Sequence, residues 1–395
     1  MATARSLDWP FWDELHRILA SELRQWIAHE ITPLPHGETD VDSVCQQLVG
    51  RLGKGGWLKY VVPAKFGGAC EHIDLRSLCL IREMLAYEWS LADFAFAMQG
   101  LGVGPIVFCG SEPLRERYLP RIAAGKAIAA FALSEAEAGS DVSAMRTTAR
   151  RDSSSYVIDG EKAWISNAGI ADHYVIVCRV PDLGKKAFLA AVVDADNPGL
   201  QVSKRTTVMA PHPLGSITLE NCRISQDAVI GEPGKGLAVA LGTLDVFRST
   251  VAAAAVGFAR RALDEAVQYV QRRTAFGRPL SDFQLTQARV ADMVTAVDAA
   301  ELLVERAAWT YDQGRSQISA EAAIAKLYAT ESAQRVIDDA VQLFGGLGVV
   351  SGSTVERLYR EIRALRIYEG TSEIQKLVIA RHVFSPQMAQ EASRG

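Results

Sequence analysis

Between Pro233 and Pro386 the sequence carries a single proline, Pro279, beside Gly277. Proline inside a helix removes an N–H donor and clashes with the preceding turn, so a stretch this poor in it is open to long, unbroken helices. The apolar spacing agrees. Val256, Ala259, Leu263, Val267 and Val270 recur at 3-4-4-3, and Val290, Met293, Val297, Ala300 and Val304 at 3-4-3-4. Such stripes are first of all core faces. Several of them in succession suit a four-helix bundle, which can also build a subunit interface.

Upstream the pattern is different. Residues 1–128 alternate amphipathic segments with short breaks, beginning with a helical face of Phe11, Leu15, Ile18 and Leu19. From Ala129 the chain reads as short strands: 130–133, 156–158, 174–180, 188–193 and 217–219. Asp159-Gly160 after Tyr156-Val157-Ile158 predicts a two-residue hairpin turn. Gly231 to Gly236 predicts a hinge into the helical region. The expected domains are therefore 1–128 (helical), 129–232 (β) and 233–395 (helical bundle), an α+β chain. No β-α alternation carries a strand-linked G-x-G-x-x-G, which argues against a Rossmann fold. The glycines of 100–105, 231–236 and 346–348 lack the flanking pattern of a phosphate loop.

Composition narrows the classes. A net charge of −4 over 395 residues gives no basic footprint for nucleic acid. The six cysteines form no C-x-x-C pair and read as reduced core residues, and the seven histidines have no ligand spacing, so no metal is expected. The opening Met1–Trp9 stretch lacks a secretory apolar core, and no uninterrupted apolar run approaches span length, so a cytoplasmic protein is expected.

Five stretches are candidates for chemistry, each with a plainer alternative. Ser134 to Asp141 is rich in small and hydroxyl residues that admit a polar ligand, or is simply a polar loop. Trp164 and Ser166, two apart on a strand, share a face, though a tryptophan is more commonly core. Arg272 and Arg273 end a helix, where they complement its dipole or clamp a phosphate. Gln342 to Gly346 ends another helix with a glycine pair, a cap or a place of close backbone approach. In Tyr368-Glu369-Gly370-Thr371-Ser372, Gly370 can end one helix and Thr371 or Ser372 can cap the next. Glu369 then sits at a corner, where its carboxylate faces a pocket or merely solvent.

Taken in order, the segments 131–149, 160–167, 273–287 and 342–381 resemble the acyl-CoA dehydrogenase family of flavoproteins over residues 70–384. The resemblance implies a helical N-terminal domain, a central small β-barrel-like domain and a C-terminal four-helix bundle, usually as a homotetramer. It implies FAD, with Phe131, Leu133 and Ser134 at the isoalloxazine edge, Trp164 against the ring, and Ser166 near N5. Ser134 and Ser166 stand where members often have Thr, and they keep the donor. Arg273, Phe276, Gln284, Gln342, Gly345 and Gly346 resemble the groups that hold pyrophosphate and adenosine across a subunit interface, with Thr371 and Glu373 closing on the same cofactor. On the substrate side Ser140, Asp245 and Arg248 resemble positions around CoA, and Tyr368 and Gly370 flank the thioester.

The activity implied is dehydrogenation of an acyl-CoA to the trans-2-enoyl thioester. Glu369 removes the α-proton, and the β-hydrogen leaves as hydride. A carboxylate can do this only if enolate charge is stabilised, in this family by the Glu369 N–H and a flavin ribityl hydroxyl. Some branches place the base just before the position of Arg248; here that residue is Phe247. The absence of Arg or Lys between Trp89 and Leu114 disfavours dicarboxylyl substrates. His212, in a two-proline segment unlike the family's usual loop, reads as a loop residue. An electron-transfer flavoprotein is the expected acceptor. The alternatives are a flavin oxidase or monooxygenase, or an acyl-carrier-protein-linked dehydrogenase, on the same fold.

Overall fold

The computed structural model describes residues 7–37, 39–315 and 317–392. The opening Met1–Ser6 of the N-terminal stretch lies outside them. In chain order come α1 (Glu14–Glu30), α2 (Val41–Lys54), α3 (Leu75–Glu88), α4 (Ser90–Cys109) and α5 (Glu112–Ala123). Strands follow: β1 (Ala129–Ala132), β2 (Thr148–Asp152), β3 (Ser155–Ser166), β4 (His173–Arg179), β5 (Phe188–Asp194), β6 (Leu200–Arg205), β7 (Leu214–Ser225) and β8 (Val229–Gly234). Then α6 (Gly236–Arg272), a hairpin of β9 (Thr274–Ala275) and β10 (Arg278–Pro279), α7 (Gln284–Asp312), α8 (Ser319–Phe344), α9 (Thr354–Leu365) and α10 (Ser372–Ala392) complete the fold. The chain is thus an α+β protein with a sheet domain between helical regions.

The chain forms two compact units. One gathers Met1–Pro33, Leu75–Asp93 and Arg248–Gly395, and the other Leu34–Asp74 and Phe94–Phe247, so α4 and α6 contribute residues to both. In the helical unit α7 packs along α8, and α8 also carries α9 and α10. Val256, Ala259, Leu263, Val270, Met293, Val297, Ala300 and Val304 are buried, as their spacing predicts, while Val267 and Val290 of the same stripes are half-buried. The first helix differs from expectation. Leu15 and Ile18 are half exposed, and the buried face is His16, Leu19, Ala20, Leu23 and Ile27. Phe11 lies before the helix, whose N-cap is Asp13, so a phase counted from Phe11 was displaced. Both α4 and α6 are long and apolar enough to cross a bilayer, yet 83% of each apolar window is buried in the protein, as in core helices.

In the other unit the sheet runs β6-β7-β3-β2-β4-β5-β8, with β1 pairing parallel to β4. The strand β4 is buried from His173 to Cys178 and β5 from Phe188 to Val193, as unbroken apolar runs of central strands demand. The hairpin is not at Asp159-Gly160. It turns at Ser153 (φ 56°) and Ser154, and β3 continues through Asp159-Gly160 with a shift in register there. Gly160 is needed for closeness: a Cβ on it would lie 2.6 Å from Thr147 Cα. The glycines of 100–105 lie in helix α4, where Gly100 and Gly104 seat the Phe247 ring, 2.7 and 3.0 Å from where their Cβ atoms would be. The expected hinge at 231–236 is instead the end of β8 running into α6.

Candidate active site

The corner between α9 and α10 is held entirely by the helical unit. Glu369 is an ordinary residue in a left-handed conformation (φ 54°), followed by Gly370 at φ 93°. For a residue with a Cβ this is a strained state that persists only where surroundings fix it. Three successive carbonyls supply that fixation. Buried Lys326 of α8 donates to the Tyr368 oxygen at 2.6 Å and to the Gly370 oxygen. Arg248 Nε donates to the Glu369 oxygen at 3.1 Å. Gln375 Nε2 donates to the Gly370 oxygen at 2.8 Å and the Glu369 oxygen at 3.3 Å. Further along α8, Glu331 takes Arg366 at 2.9 Å and the Ser372 hydroxyl at 2.5 Å.

With its carbonyls tied back, the corner leaves two groups unspent. Glu369 Oε2 is buried without a hydrogen-bond partner, and the Glu369 N–H makes no hydrogen bond among the described residues. Burial pushes the Glu369 carboxyl above the ordinary carboxylate range; Arg82, Lys326 and Arg248 oppose this and Asp93 adds to it. Burial lowers the Lys326 ammonium to about 8, against the pull of Glu369 and with a push from Arg248. A desolvated, unpaired carboxylate with a raised pKa is what a general base requires. Tyr368 precedes it, with burial raising its phenol.

Other candidates in this unit collect at a second place. The Tyr269 ring of α6 stacks on Phe344 of α8 at 4.2 Å and 15°, bringing the helix ends at Arg273 and Gly345 together. Between β9 and β10, Phe276 (φ 51°) and Gly277 (φ 83°) form a tight turn that leaves the Phe276 ring 95% exposed. Gly345 stands at φ 61°, ψ −136°, and neither it nor Gly346 has an atom within 4 Å of a virtual Cβ. Gln342 is in the last turn of α8, Gln284 opens α7, Glu373 is in the first turn of α10, and Thr371 immediately precedes it.

In the sheet unit, β1 ends beside the irregular end of β3. Trp164 (φ 60°) lies in a register shift between Lys162 and Ile165, and its indole is 59% exposed instead of core. The Ala163 N–H donates to the Ser134 carbonyl at 3.0 Å, so Ser134 and Trp164 are neighbours. Beneath them Lys162, fully buried, donates to the Leu133 carbonyl at 3.1 Å and Glu135 Oε1 at 2.8 Å, and Glu135 accepts the Arg146 and Thr147 N–H groups. Phe131, Ser134 and Ser166 are half-buried, Leu133 is buried and Ser140 is exposed. Asp245 is half-buried. His212 makes a hydrogen-bonding contact with the Ala210 carbonyl at 3.0 Å and packs on Phe94 at 4.5 Å, a loop residue folded onto an aromatic ring. A polar cleft of about 660 Å³ in this unit, lined by Arg117, Arg121, Asp172 and Asp194, holds none of these residues, and its charges pair with one another.

Three family descriptions match the chain in sequence: acyl-CoA dehydrogenase N-terminal domain at 13–126, middle domain at 130–222 and C-terminal domain at 234–384. The chain belongs to the acyl-CoA dehydrogenase family. It is 36% identical over 371 residues to a probable acyl-CoA dehydrogenase, FadE25, of Mycobacterium tuberculosis, covering 93% of this chain and 95% of that one. It is 37% identical to the human mitochondrial short-chain specific acyl-CoA dehydrogenase, covering 94% and 90%. The structure superposes on the Bacillus anthracis acyl-CoA dehydrogenase complexed with FAD with a TM-score of 0.89 at 28% identity, over 98% of this chain and 71% of that one.

The family motifs pointed to Glu369 and passed over what surrounds it. Lys326, Arg82, Asp93, Gln375 and Glu331 were not anticipated. Lys326 left a signal, as a lone cation on the alanine-rich buried face of α8 with Ala322, Ala325 and Ala329. Arg82 falls just outside the cation-free stretch from Trp89 to Leu114. It lies earlier, on α3, and is neutralised by Asp93 at 2.8 and 2.7 Å.

Proposed function

We propose that this acyl-CoA dehydrogenase family member removes the α-proton of an acyl thioester with Glu369 to give the trans-2-enoyl product, using FAD. The buried, unpartnered Glu369 Oε2 carries this reading. The residues present fit the cofactor. Trp164 offers an open aromatic face beside the half-buried Ser134 and Ser166. The bare backbone at Gly345 and Gly346 suits the close approach of pyrophosphate and adenosine, and Phe276 and Arg273 are read as partners of the same groups. When bound, FAD supplies the acceptor for the β-hydrogen.

Glu369 supplies the other half. Its carboxylate takes the α-proton, and its free N–H is the donor for developing charge on the thioester oxygen, an effect of about 3–4 kcal/mol for a well-placed donor. Arg248 faces the Glu369 carbonyl, so it holds the corner from α6. Thr371 and Glu373 are read as cofactor contacts, and Ser140, Asp245, Tyr368 and Gly370 as substrate contacts. The substrate carrier is read as CoA and the electron acceptor as an electron-transfer flavoprotein. Exposed apolar side chains on and around the C-terminal helices, Leu285, Leu347, Val349, Val383 and Phe384 among them, support a homo-oligomer, by family precedent a tetramer.

Anaerobic mixing of FAD-loaded protein with a panel of acyl-CoA thioesters tests this. Bleaching of the visible flavin band by at least one thioester is expected, and Glu369→Gln should keep the flavin but lose bleaching by 1,000-fold or about that. A Glu369→Gln protein reduced at the wild-type rate would remove Glu369 from the mechanism.

A further inference from the structure

Helix α8 meets the Glu369 corner at two points, Lys326 and Glu331. Glu331 grips Arg366 and Ser372 on either side of the corner, at exposures that leave it in partial contact with solvent. Lys326 is different. It is 1% exposed, and its donors go to the backbone oxygens immediately before and after the base. A buried lysine spending itself on two carbonyls is an expensive way to close a turn, since the desolvation cost of an ammonium is several kcal/mol. A helix of alanines has room for an apolar residue at that position, and a C-terminal capping motif closes turns without charge.

The arrangement accomplishes something an apolar residue cannot. Carbonyls 368 and 370 are pulled towards α8, while Arg248 takes carbonyl 369 from α6. With all three oxygens engaged, the peptide planes of the corner cannot rotate freely about φ of Glu369, which stands at 54°. The same ammonium is a positive charge beside the carboxylate, and the groups facing Glu369 are Arg82 from α3, Asp93 from α4, Arg248 from α6 and Lys326 from α8. Arg82 is committed to Asp93, and Arg248 to the corner carbonyl. Lys326 alone of the three cations has an ammonium that can lose its proton in the accessible pH range.

We propose that Lys326 is a positioning residue for the base: it locks the left-handed corner that aims Glu369 and sets the acidity of that carboxyl by its charge. The inference rests on the reading of Glu369 as the base. It extends that reading by making the base a two-residue device, in which the carboxylate on the α9–α10 corner is operated from α8. Burial lowers Lys326 to about 8, so the clamp loses charge in the mildly alkaline range. Against the cost of burial, Asp93 holds the Arg82 guanidinium in its charged form, so the alkaline limb of the pH profile reads the contribution of Lys326.

The test uses the full-length FAD-loaded protein with Lys326→Met and Lys326→Arg, and with Glu369→Gln as reference. Folding and flavin content are checked by circular dichroism and flavin absorbance. In Lys326→Met the rate of flavin reduction at saturating acyl-CoA should fall at least 10-fold, with KM changed less than 3-fold. The acidic midpoint of the rate profile should move up by about one pH unit as the carboxyl loses a neighbouring cation. The Glu369 carboxylic-acid infrared band, found by difference against Glu369→Gln, should titrate with the same upward shift without any substrate present. Lys326→Arg restores the charge and should return the midpoint while recovering the rate only in part.

A folded Lys326→Met protein with wild-type rate and midpoint overturns the proposal, as does one that loses only thermal stability. If Lys326→Met fails to load flavin, the infrared titration of the apoprotein decides, and an unshifted band there overturns it. Should Glu369→Gln itself reduce flavin normally, the base assignment fails. A Lys326→Met protein with wild-type rate and midpoint, while Glu369→Gln stays inert, refutes only the role of the lysine.

Discussion

Arg82 and Asp93 meet through two parallel hydrogen bonds, Nε to Oδ1 at 2.8 Å and Nη2 to Oδ2 at 2.7 Å, with both side chains buried. Arg82 Nη1 adds a bond to the Thr250 hydroxyl at 2.9 Å, which joins α3, the start of α4 and α6. The pair presents one charge of each sign to Glu369, and the arginine is the stronger influence. A bidentate pair of this kind is expensive to break from one side, because the partner is left buried and charged.

Arg82→Met is expected to destabilise the protein by about 3–5 kcal/mol in denaturant unfolding, and Arg82→Met with Asp93→Leu by clearly less. The single variant should also shift the acidic midpoint of flavin reduction upward, since a cation that lowers the Glu369 pKa is gone. Equal losses in the single and double variants would show that the pair acts through packing alone.

Acid stability should depend on His173. Burial, with help from the Arg121 and Arg117 charges, pushes its imidazole down to about 3, so the folded protein holds it neutral. The unfolded chain takes up a proton below its ordinary 6.5, while the fold does not until about 3. Stability is therefore complete above pH 6.5 and falls as pH drops towards 3, by up to about 1.4 kcal/mol per pH unit from this group. His173→Gln should flatten that part of the stability profile; an unchanged slope would place the acid sensitivity elsewhere.

Gly370→Ala tests the corner directly. At φ 93° a side chain is strained, and the new Cβ would stand 2.7 Å from Gln375 Nε2, one of the groups holding the turn. A loss of about 1–3 kcal/mol is expected, with a fall in flavin reduction larger than any change in KM. A variant that keeps both stability and rate would mean the corner is not held as tightly as its hydrogen bonds imply.

Trp164 separates cofactor from core. An indole 59% exposed contributes little to folding, so Trp164→Ala should cost under about 1 kcal/mol of stability. The same change should weaken FAD binding at least 10-fold, measured by quenching of free flavin fluorescence. The reverse pattern, a large stability loss with flavin affinity intact, would return Trp164 to a purely structural role.

Much of the fold was legible because its signals are periodic. The stripes from Val256 and Val290 read directly as buried helix faces, and the strands around Tyr174 and Phe188 as continuous apolar runs. Local turn chemistry misled where tertiary crowding overrode it. Asp159-Gly160 has the composition of a hairpin turn, yet the glycine serves Thr147 across the strand, and Ser153-Ser154 turns the chain without any glycine. Glu369, the proposed base, was singled out through a motif, and its surroundings were not. Lys326 and Arg82 are charges placed on apolar faces, and only tertiary structure tells which distant backbone or carboxylate they serve.

The poise of Glu369 draws on three stretches of chain that are far apart in sequence, around residues 82–93, 248 and 326, together with the corner itself. The raised pKa of Glu369 is therefore a property of the assembled helical unit and not of the short motif that contains it.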